Sequence, residues 1–345
     1  MKTTATLALS AAVALSACTA STTTRVASPA PAAPIAATPG IGAVLADGVA
    51  LIPGGFEPGR QPDGNTVIFR GPQGLVVLDT GRHAEHSQKI LDYATQAQQP
   101  IVAVVNSHWH LDHVSGNPRL RAVYPSLTVY ASSGIEGAMS GFLANSRKQA
   151  LAILAKPGDA AMQAEVRTDL ATIDSGKAVY PDVVIDSTGE RTLAGRPLLL
   201  GYEGYGVTAG DLWIYDGATH VLAAGDLVTL PAPFFDTACP AHWQAALARL
   251  DQIDFATLVP GHGAPMSHAD FDHYRHAFDG LLACAASNAG KAECLDGWQR
   301  DAAAFLPTEQ DQKLARVLLD YYVDGILRGD PNKTAALCGI PKPPG

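Results

Sequence analysis

The stretch His108-Trp109-His110-Leu111-Asp112-His113 places three histidines and one aspartate within six positions, at the spacing H-x-H-x-D-H. Neutral imidazoles and a carboxylate are the usual protein ligands of zinc and similar borderline metals. A polar loop rich in histidine is the bland alternative, but four ligating residue types at fixed spacing behind a buried run favour a metal centre. A metal held in this way lowers the pKa of a bound water toward about 7 and polarises a substrate oxygen. The chemistry expected of such a stretch is hydrolysis.

The elements around the stretch must hold it rigidly. Ile101-Val102-Ala103-Val104-Val105 is an unbroken apolar run and predicts a fully buried strand, ending where a ligand-bearing loop begins. Val49 to Ile52, Asn65 to Arg70 and Leu75 to Leu78 read as the first strands, with Gly71-Pro72-Gln73-Gly74 as a hairpin turn. Ser87 to Gln98 reads as a helix stopped before Pro100, and Leu127 to Tyr130 as a further strand. Ile135 to about Ile173 reads as helical, divided at Pro157-Gly158, and is expected to overhang the site, with Met139, Phe142 and Leu143 as pocket candidates or as packing residues. Val183 to Ile185, Arg191 to Leu193, Pro197 to Glu203, Leu212 to Tyr215 and His220 to Ala223 predict a second sheet. Ala241 to Asp251 reads as a helix, Thr257 to Val259 as a short strand leading into Gly261-His262-Gly263, and Ser267 to about Ala286 as another helix. The tail beyond it reads as partly helical and shows no chemistry.

The ligand stretch resembles the signature of the metallo-β-lactamase-fold hydrolases. Val76-Val77-Leu78-Asp79-Thr80-Gly81, Thr208-Ala209-Gly210-Asp211, Ala224-Gly225-Asp226 and Pro260-Gly261-His262-Gly263 resemble further segments of that family in the same order, over about residues 44 to 285. The resemblance implies an α+β fold, a four-layer αβ/βα sandwich with the metals at one edge. Here it would carry a helical insertion and a C-terminal helical extension, dividing the chain into a folded domain over 41–286 and a helical tail over 287–345. It implies His108 and His110 on a first metal, Asp112, His113 and His262 on a second, and Asp226 bridging both. Asp112 is expected to orient the water and take its proton, and Asp79 to brace the ligand loop from behind. The fold is far more specific than the substrate, because one fold hosts many chemistries.

One position departs from the family. A histidine normally precedes the Thr-x-Gly-Asp segment, and here Val207 stands there. Valine cannot ligate, so the first metal keeps His108, His110 and a share of Asp226. Zinc is therefore expected at one tightly filled and one partly filled position. Tyr205, Glu203, His83 and His86 are the candidates for compensation, and the sequence does not choose among them. Three readings follow: a hydrolase of an ester, thioester, lactone or amide; a metal-binding but catalytically weak protein with a binding or scaffolding role; and a di-iron oxygen or nitric-oxide reductase. The last branch of the family carries a carboxylate where His110 stands and a flavin-binding partner domain, and neither feature is present.

The chain of 345 residues is 47% hydrophobic, with a formal net charge of −9. No Lys/Arg cluster appears, which speaks against the nucleic-acid substrates of some relatives. A small-molecule substrate is expected, with no protein partner. Met1-Lys2, the short apolar run Leu7 to Ala17 and Leu15-Ser16-Ala17-Cys18 resemble a bacterial lipoprotein leader with its acceptor cysteine. An ordinary secretory leader with an incidental cysteine is the alternative. Thr19 after the cysteine resembles outer-membrane rather than inner-membrane sorting, with the protein facing the periplasm. Residues 19 to 40, rich in Ser, Thr, Ala and Pro, read as a disordered tether. Cys239, Cys284, Cys294 and Cys338 remain. In an exported protein they suggest two disulfides in any of three connectivities, one of which joins Cys284 to Cys294 and Cys239 to Cys338.

Overall fold

The computed structural model describes residues 41–339 apart from Pro58. The expected leader, Cys18 and the tether lie outside the described residues. Seven strands form the first sheet in chain order: β1 (Ala43–Ala46), β2 (Val49–Ile52), β3 (Thr66–Gly71), β4 (Gly74–Leu78), β5 (Ile101–Val105), β6 (Thr128–Ala131) and β7 (Val183–Val184). The second has five, in the order β12-β11-β10-β9-β8: β8 (Gly189–Leu193), β9 (Arg196–Tyr205), β10 (Ala209–Asp216), β11 (Val221–Thr229) and β12 (Thr257–His262). The helices are α1 (Ala84–Ala97), α2 (Leu111–Val114), α3 (Asn117–Val123), α4 (Gly134–Ser140), α5 (Phe142–Leu154), α6 (Ala160–Asp174), α7 (Pro240–Leu250), α8 (His268–Ala286), α9 (Lys291–Asp301), α10 (Glu309–Tyr322) and α11 (Pro331–Leu337).

Alternation along the strands builds the layers. Val67 and Phe69 of β3, Val76 and Leu78 of β4, and Ala103 and Val105 of β5 face the second sheet, where Leu212, Ile214, Val221, Ala223 and Val259 meet them. The intervening Ile68, Leu75, Val77 and Val104 face outward and pack on Ile90, Leu91 and Ala94 of α1. On the far side, Leu222, Ala224 and Leu258 pack on Trp243 of α7 and Phe271, Tyr274 and Phe278 of α8. The inner strands of both sheets are thus buried on both faces, which explains why β2 and β4 read as continuous hydrophobic runs. Helix, sheet, sheet and helix stack as the four-layer sandwich.

Several expectations need correction. Val183 and Val184 belong to the first sheet: β7 runs parallel to β6, with Asp182 N donating to Val129 O and Ile185 N to Ala131 O. The chain returning from the insertion completes an existing edge before crossing over. The ligand-bearing loop is partly helical, since His113 N and Ser115 N donate to His110 O and Leu111 O and wind Asp112 and His113 into α2. The insertion breaks at Gly141 as well as near Pro157, giving α4, α5 and α6. β12 continues through His262 instead of ending at Val259. Trp298 of α9 and Leu319 and Tyr322 of α10 join the same core as α7 and α8, so the C-terminal helices close one face of the sandwich. Disulfides join Cys239 to Cys338 and Cys284 to Cys294, which settles the connectivity. Among the described residues, no helix is long and apolar enough to cross a membrane.

Candidate metal centre

The sandwich delivers its polar side chains to one edge. The chain leaves β5 into Asn106 and the ligand stretch, β11 carries Asp226, and β12 ends on His262. Close backbone approach is built in. A Cβ on Gly261 would stand 1.9 Å from Asp226 Oδ1, and one on Gly64 would stand 2.4 Å from the His113 ring. Asn65 staples the His262 turn, its Nδ2 donating to Pro260 O and Gly263 O at 2.9 Å each.

Asp112, His113, His262 and Asp226 converge. His262 Nε2 lies 3.0 Å from Asp112 Oδ2 and 3.6 Å from Asp226 Oδ1. His113 Nε2 lies 3.2 Å from Asp226 Oδ1, 3.7 Å from Asp112 Oδ2 and 3.3 Å from His262 Nε2. Ligands at about 2.1 Å from a tetrahedral metal sit roughly 3.4 Å from one another. The separations within Asp112, His113 and His262 match edges of such a polyhedron, and Asp226 Oδ1 stands at similar distances from the two imidazoles. His108 Nε2 and both carboxylate oxygens of Asp226 are buried without a hydrogen-bond partner. Buried polar atoms are rarely left unpaired, and here the orphans are a lone-pair nitrogen and a carboxylate. The donor set therefore fits a divalent cation.

Three hydrogen bonds assign the imidazole tautomers. Asp79 accepts from Ser107 N at 2.7 Å, Ser107 Oγ at 2.6 Å and His113 Nδ1 at 2.8 Å. His113 thus keeps its proton on Nδ1, so that Nε2 presents its lone pair once a cation displaces the second proton. Ser107 Oγ, having given its proton to Asp79, accepts from His108 Nδ1 at 3.0 Å, leaving the His108 Nε2 lone pair free. His110 is set the other way. Thr237 Oγ1 donates to Val207 O at 2.9 Å and accepts from His110 Nε2 at 2.8 Å, so the lone pair of His110 is on Nδ1. Such outer hydrogen bonds orient ligating histidines and raise their basicity. Thr237 and Asn65 carry no motif, and sequence reasoning missed both.

Electrostatics favour a cation at the same place. Burial opposes the charged form of His113, but the carboxylates of Asp226, Asp79 and Asp112 outweigh it and hold its pKa well above the usual range. Burial works against ionised Asp112 and Asp226 too. His113 and His262 overcome it and hold both carboxyls well below the usual range, with Arg82 assisting at Asp112 and His108 at Asp226. His108, with burial and the neighbouring histidines against its charged form, is lowered well below the normal value.

The first position is poorer in donors. Val207 is fully buried and apolar, on a turn that Asp211 holds by accepting from Thr208 Oγ1 at 2.8 Å. Burial pushes the Asp211 carboxyl up to about 8. Among the described residues, His108, His113 and Asp226 form one potential cation group and Asp112, His113 and His262 another, and His110 joins neither. None of the four compensation candidates reaches the site. His83 is held between Asp63 at 2.7 Å and Glu165 at 2.8 Å, and His86 Nε2 lies 2.8 Å from Thr66 Oγ1. Glu203 pairs with Arg249 on α7, and Tyr205 is an exposed ring beside His242.

A cleft of about 580 Å³ opens beside His110 and Asp112. Phe142 and Leu143 line it, whereas Met139 packs into the cluster of Trp109 and Ile135 that seats the insertion. The tail expected to be inert also lines it, through Leu314, Leu318 and Tyr322 of α10.

A family model for the metallo-beta-lactamase superfamily matches residues 59–262, more than half of the chain, and the chain belongs to that superfamily. An (R)-specific secondary-alkylsulfatase of Pseudomonas sp. is 31% identical over 144 residues, covering 37% of this chain and 21% of that protein. A hydroxyacylglutathione hydrolase of Synechococcus sp. (strain JA-3-3Ab) is 38% identical over 55 residues, covering 16% of this chain and 22% of that protein. The chain spans between 10% and 22% of the length of the curated relatives it matches. Among solved structures, a metallo-beta-lactamase from Pontibacter korlensis superposes with TM-score 0.51 at 21% identity, over 69% of this chain and 98% of that one. A double mutant of the sec-alkyl sulfatase PisA1 gives TM-score 0.51 at 22% identity, over 83% and 51%. At these identities the superpositions speak for the fold.

Proposed function

We propose that this member of the metallo-beta-lactamase superfamily is a metal-dependent hydrolase of an ester, thioester, lactone or amide. The observation that carries the reading is the convergence of Asp112, His113 and His262, with Asp226 beside the two imidazoles, at the mouth of a cleft. Zinc suits this nitrogen and oxygen donor set. Bound there, it would polarise the substrate oxygen and lower the pKa of a water toward about 7. Asp112 is the residue for the proton. It is ionised and turns Oδ2 toward His262, while Oδ1 faces Arg82 at 3.7 Å and stays available at the cleft. Ser107 and Thr237 fix the lone pairs of His108 and His110 on Nε2 and Nδ1, and of the two His108 shares a potential cation group with Asp226. Relatives named as alkylsulfatases and hydroxyacylglutathione hydrolases support hydrolysis as the reaction type. We place the protein in the bacterial envelope, lipid-anchored through Cys18, on the strength of the Leu-Ser-Ala-Cys stretch.

Val207 favours a second reading, a metal-binding protein of weak catalytic power with a binding or scaffolding role, because among the described residues none replaces the missing donor. Turnover separates the two. The zinc-loaded protein is assayed on a p-nitrophenyl ester and a chromogenic cephalosporin, with and without chelator, beside Asp112→Asn. The hydrolase reading expects chelator-sensitive turnover of at least one substrate and a loss of about 100-fold or more in the variant, the scale of a positioned acid–base group. Turnover indifferent to both chelator and Asp112 would reject it.

A further inference from the structure

The cleft beside the metal centre indicates what lies in it. Its walls come from separate parts of the chain: Phe56, Trp109 of the ligand stretch, Phe142 and Leu143 of α5, Phe234 and Leu318 of α10. Phe142 is 46% exposed and Ile153 of α5 is 42% exposed, a cost that α5 bears on the cleft side. Trp109 and Phe142 pack at 5.5 Å, and Phe56 and Phe234 at 6.0 Å, so the two sides of the cleft are aromatic.

The charges along it do not suit an anion. The lining cations are Arg60 and Arg82. Arg82 is committed to Asp169 of α6 and stands 3.7 Å from Asp112. Arg60 lies within 3.6 Å of Glu57, 3.7 Å of Glu85 and 3.6 Å of Glu165. The lining carboxylates are Asp112, Asp169 and Asp236, and Asp236 accepts from Tyr322 Oη at 2.7 Å. Asp112 belongs to the metal centre, and the remaining lining charges, Arg60 and Arg82 against Asp169 and Asp236, balance. A carboxylate or sulfate carried away from the reacting bond would find no uncommitted cation among the described lining residues, and would lose hydration against aromatic walls.

We propose that the substrate is an uncharged acyl ester, thioester or amide whose aliphatic acyl chain lies in this cleft, with the reacting carbonyl at Asp112. This rests on the hydrolase reading above. A cleft of about 580 Å³ is of the size that takes a small-molecule ligand. Each methylene taken out of water against apolar walls raises affinity about fourfold.

The test uses the full-length zinc-loaded protein and three p-nitrophenyl esters: acetate, octanoate and the hexanedioate monoester, whose distal carboxylate enters the cleft. The proposal expects kcat/KM for octanoate at least 30-fold above acetate, and the hexanedioate monoester no better than acetate. Phe142→Ala, at a half-exposed position, should cut the octanoate advantage at least fivefold. Leu318→Arg should raise the hexanedioate monoester relative to octanoate. Equal rates across the three esters, or preference for the charged one, would overturn the proposal and leave the hydrolase reading standing. Should no ester turn over, the cephalosporin assay above decides the hydrolase reading, and calorimetry decides whether the cleft takes an uncharged chain. 1-Octanol binding at least tenfold more tightly than 8-hydroxyoctanoate supports that occupant, and equal binding overturns it.

Discussion

Replacing Asp79 by asparagine tests the whole ligand arrangement with one atom pair. Asp79 is 1% exposed and sits at φ 61°, in the left-handed region. Asparagine is among the few residues that tolerate that conformation, so the backbone is not disturbed. The side chain is. The carboxylate accepts three hydrogen bonds, from Ser107 N, Ser107 Oγ and His113 Nδ1. An amide has one acceptor oxygen. If that oxygen stays on Ser107 N, the amide NH₂ faces Ser107 Oγ and His113 Nδ1. The hydroxyl can rotate and accept, but it then no longer aligns with His108 Nδ1. His113 can accept only by moving its proton to Nε2, which removes the lone pair aimed at Asp226 and His262. Loss of hydrogen bonds to a buried charge costs about 1.5–3 kcal/mol. That corresponds to roughly 10- to 100-fold in metal affinity, the usual effect of removing a partner behind a ligating histidine. The assay is a competition titration of Zn²⁺ against a chelating dye, with the unfolding midpoint of the metal-free protein as a control for folding. Thr237→Val is the companion, since of the ligand histidines it touches only His110 and should leave the tight site within about threefold. An Asp79→Asn protein that binds zinc within twofold of wild type would refute the tautomer assignment.

Elemental analysis after dialysis should give near one zinc per chain, falling to near none in His262→Ala and largely kept in His108→Ala, while Val207→His moves the count toward two. A wild-type protein that holds two equivalents would mean that another residue completes the first position. Thiol counting on the denatured, unreduced full-length chain should find at most the single thiol of Cys18, because the other four cysteines are paired. Reduction should destabilise by about 2–5 kcal/mol, and four further reactive thiols would contradict the pairing. The Glu165–His83–Asp63 clamp on α6 should respond to pH. The Asp63 hydrogen bond raises the His83 pKa, opposed by burial and reinforced by Glu165. That contribution is complete below the ordinary histidine value of 6.5 and fades as pH climbs through the raised one. Burial opposes the lowering of Asp63, but the His83 hydrogen bonds bring it down to about 2, so its contribution is lost only as pH falls toward that value. Amide protection in α6, corrected for intrinsic exchange, should therefore decline as pH is raised above 6.5, and His83→Gln should abolish the decline. A flat profile in the wild type would exclude the clamp.

The parts of this molecule legible from sequence are those in which one short segment does all the work. Unbroken apolar runs such as Val67-Ile68-Phe69 and Val76-Val77-Leu78 mark strands buried on both faces, and no distant residue alters that. The ligand stretch was readable for the same reason, since four donors sit within six positions. What escaped was decided by partners far along the chain. Val183-Val184 has strand composition whichever sheet it joins, and only the parallel pairing with Tyr130 and Ala131 chooses the first. Thr237 looks like any threonine before a cysteine. Its place behind His110, 127 residues away, depends on Cys239 N donating to Gly206 O, which draws the loop against the Val207 turn. Val207 shows the point from both directions. Its side chain is visible in sequence as a missing ligand, but its carbonyl, which anchors the threonine that fixes His110, is a main-chain atom that no residue identity reveals. The loss of a donor at that position and the retention of an oriented His110 are therefore separable. A binding assay on Val207→His and on Thr237→Val would move them independently.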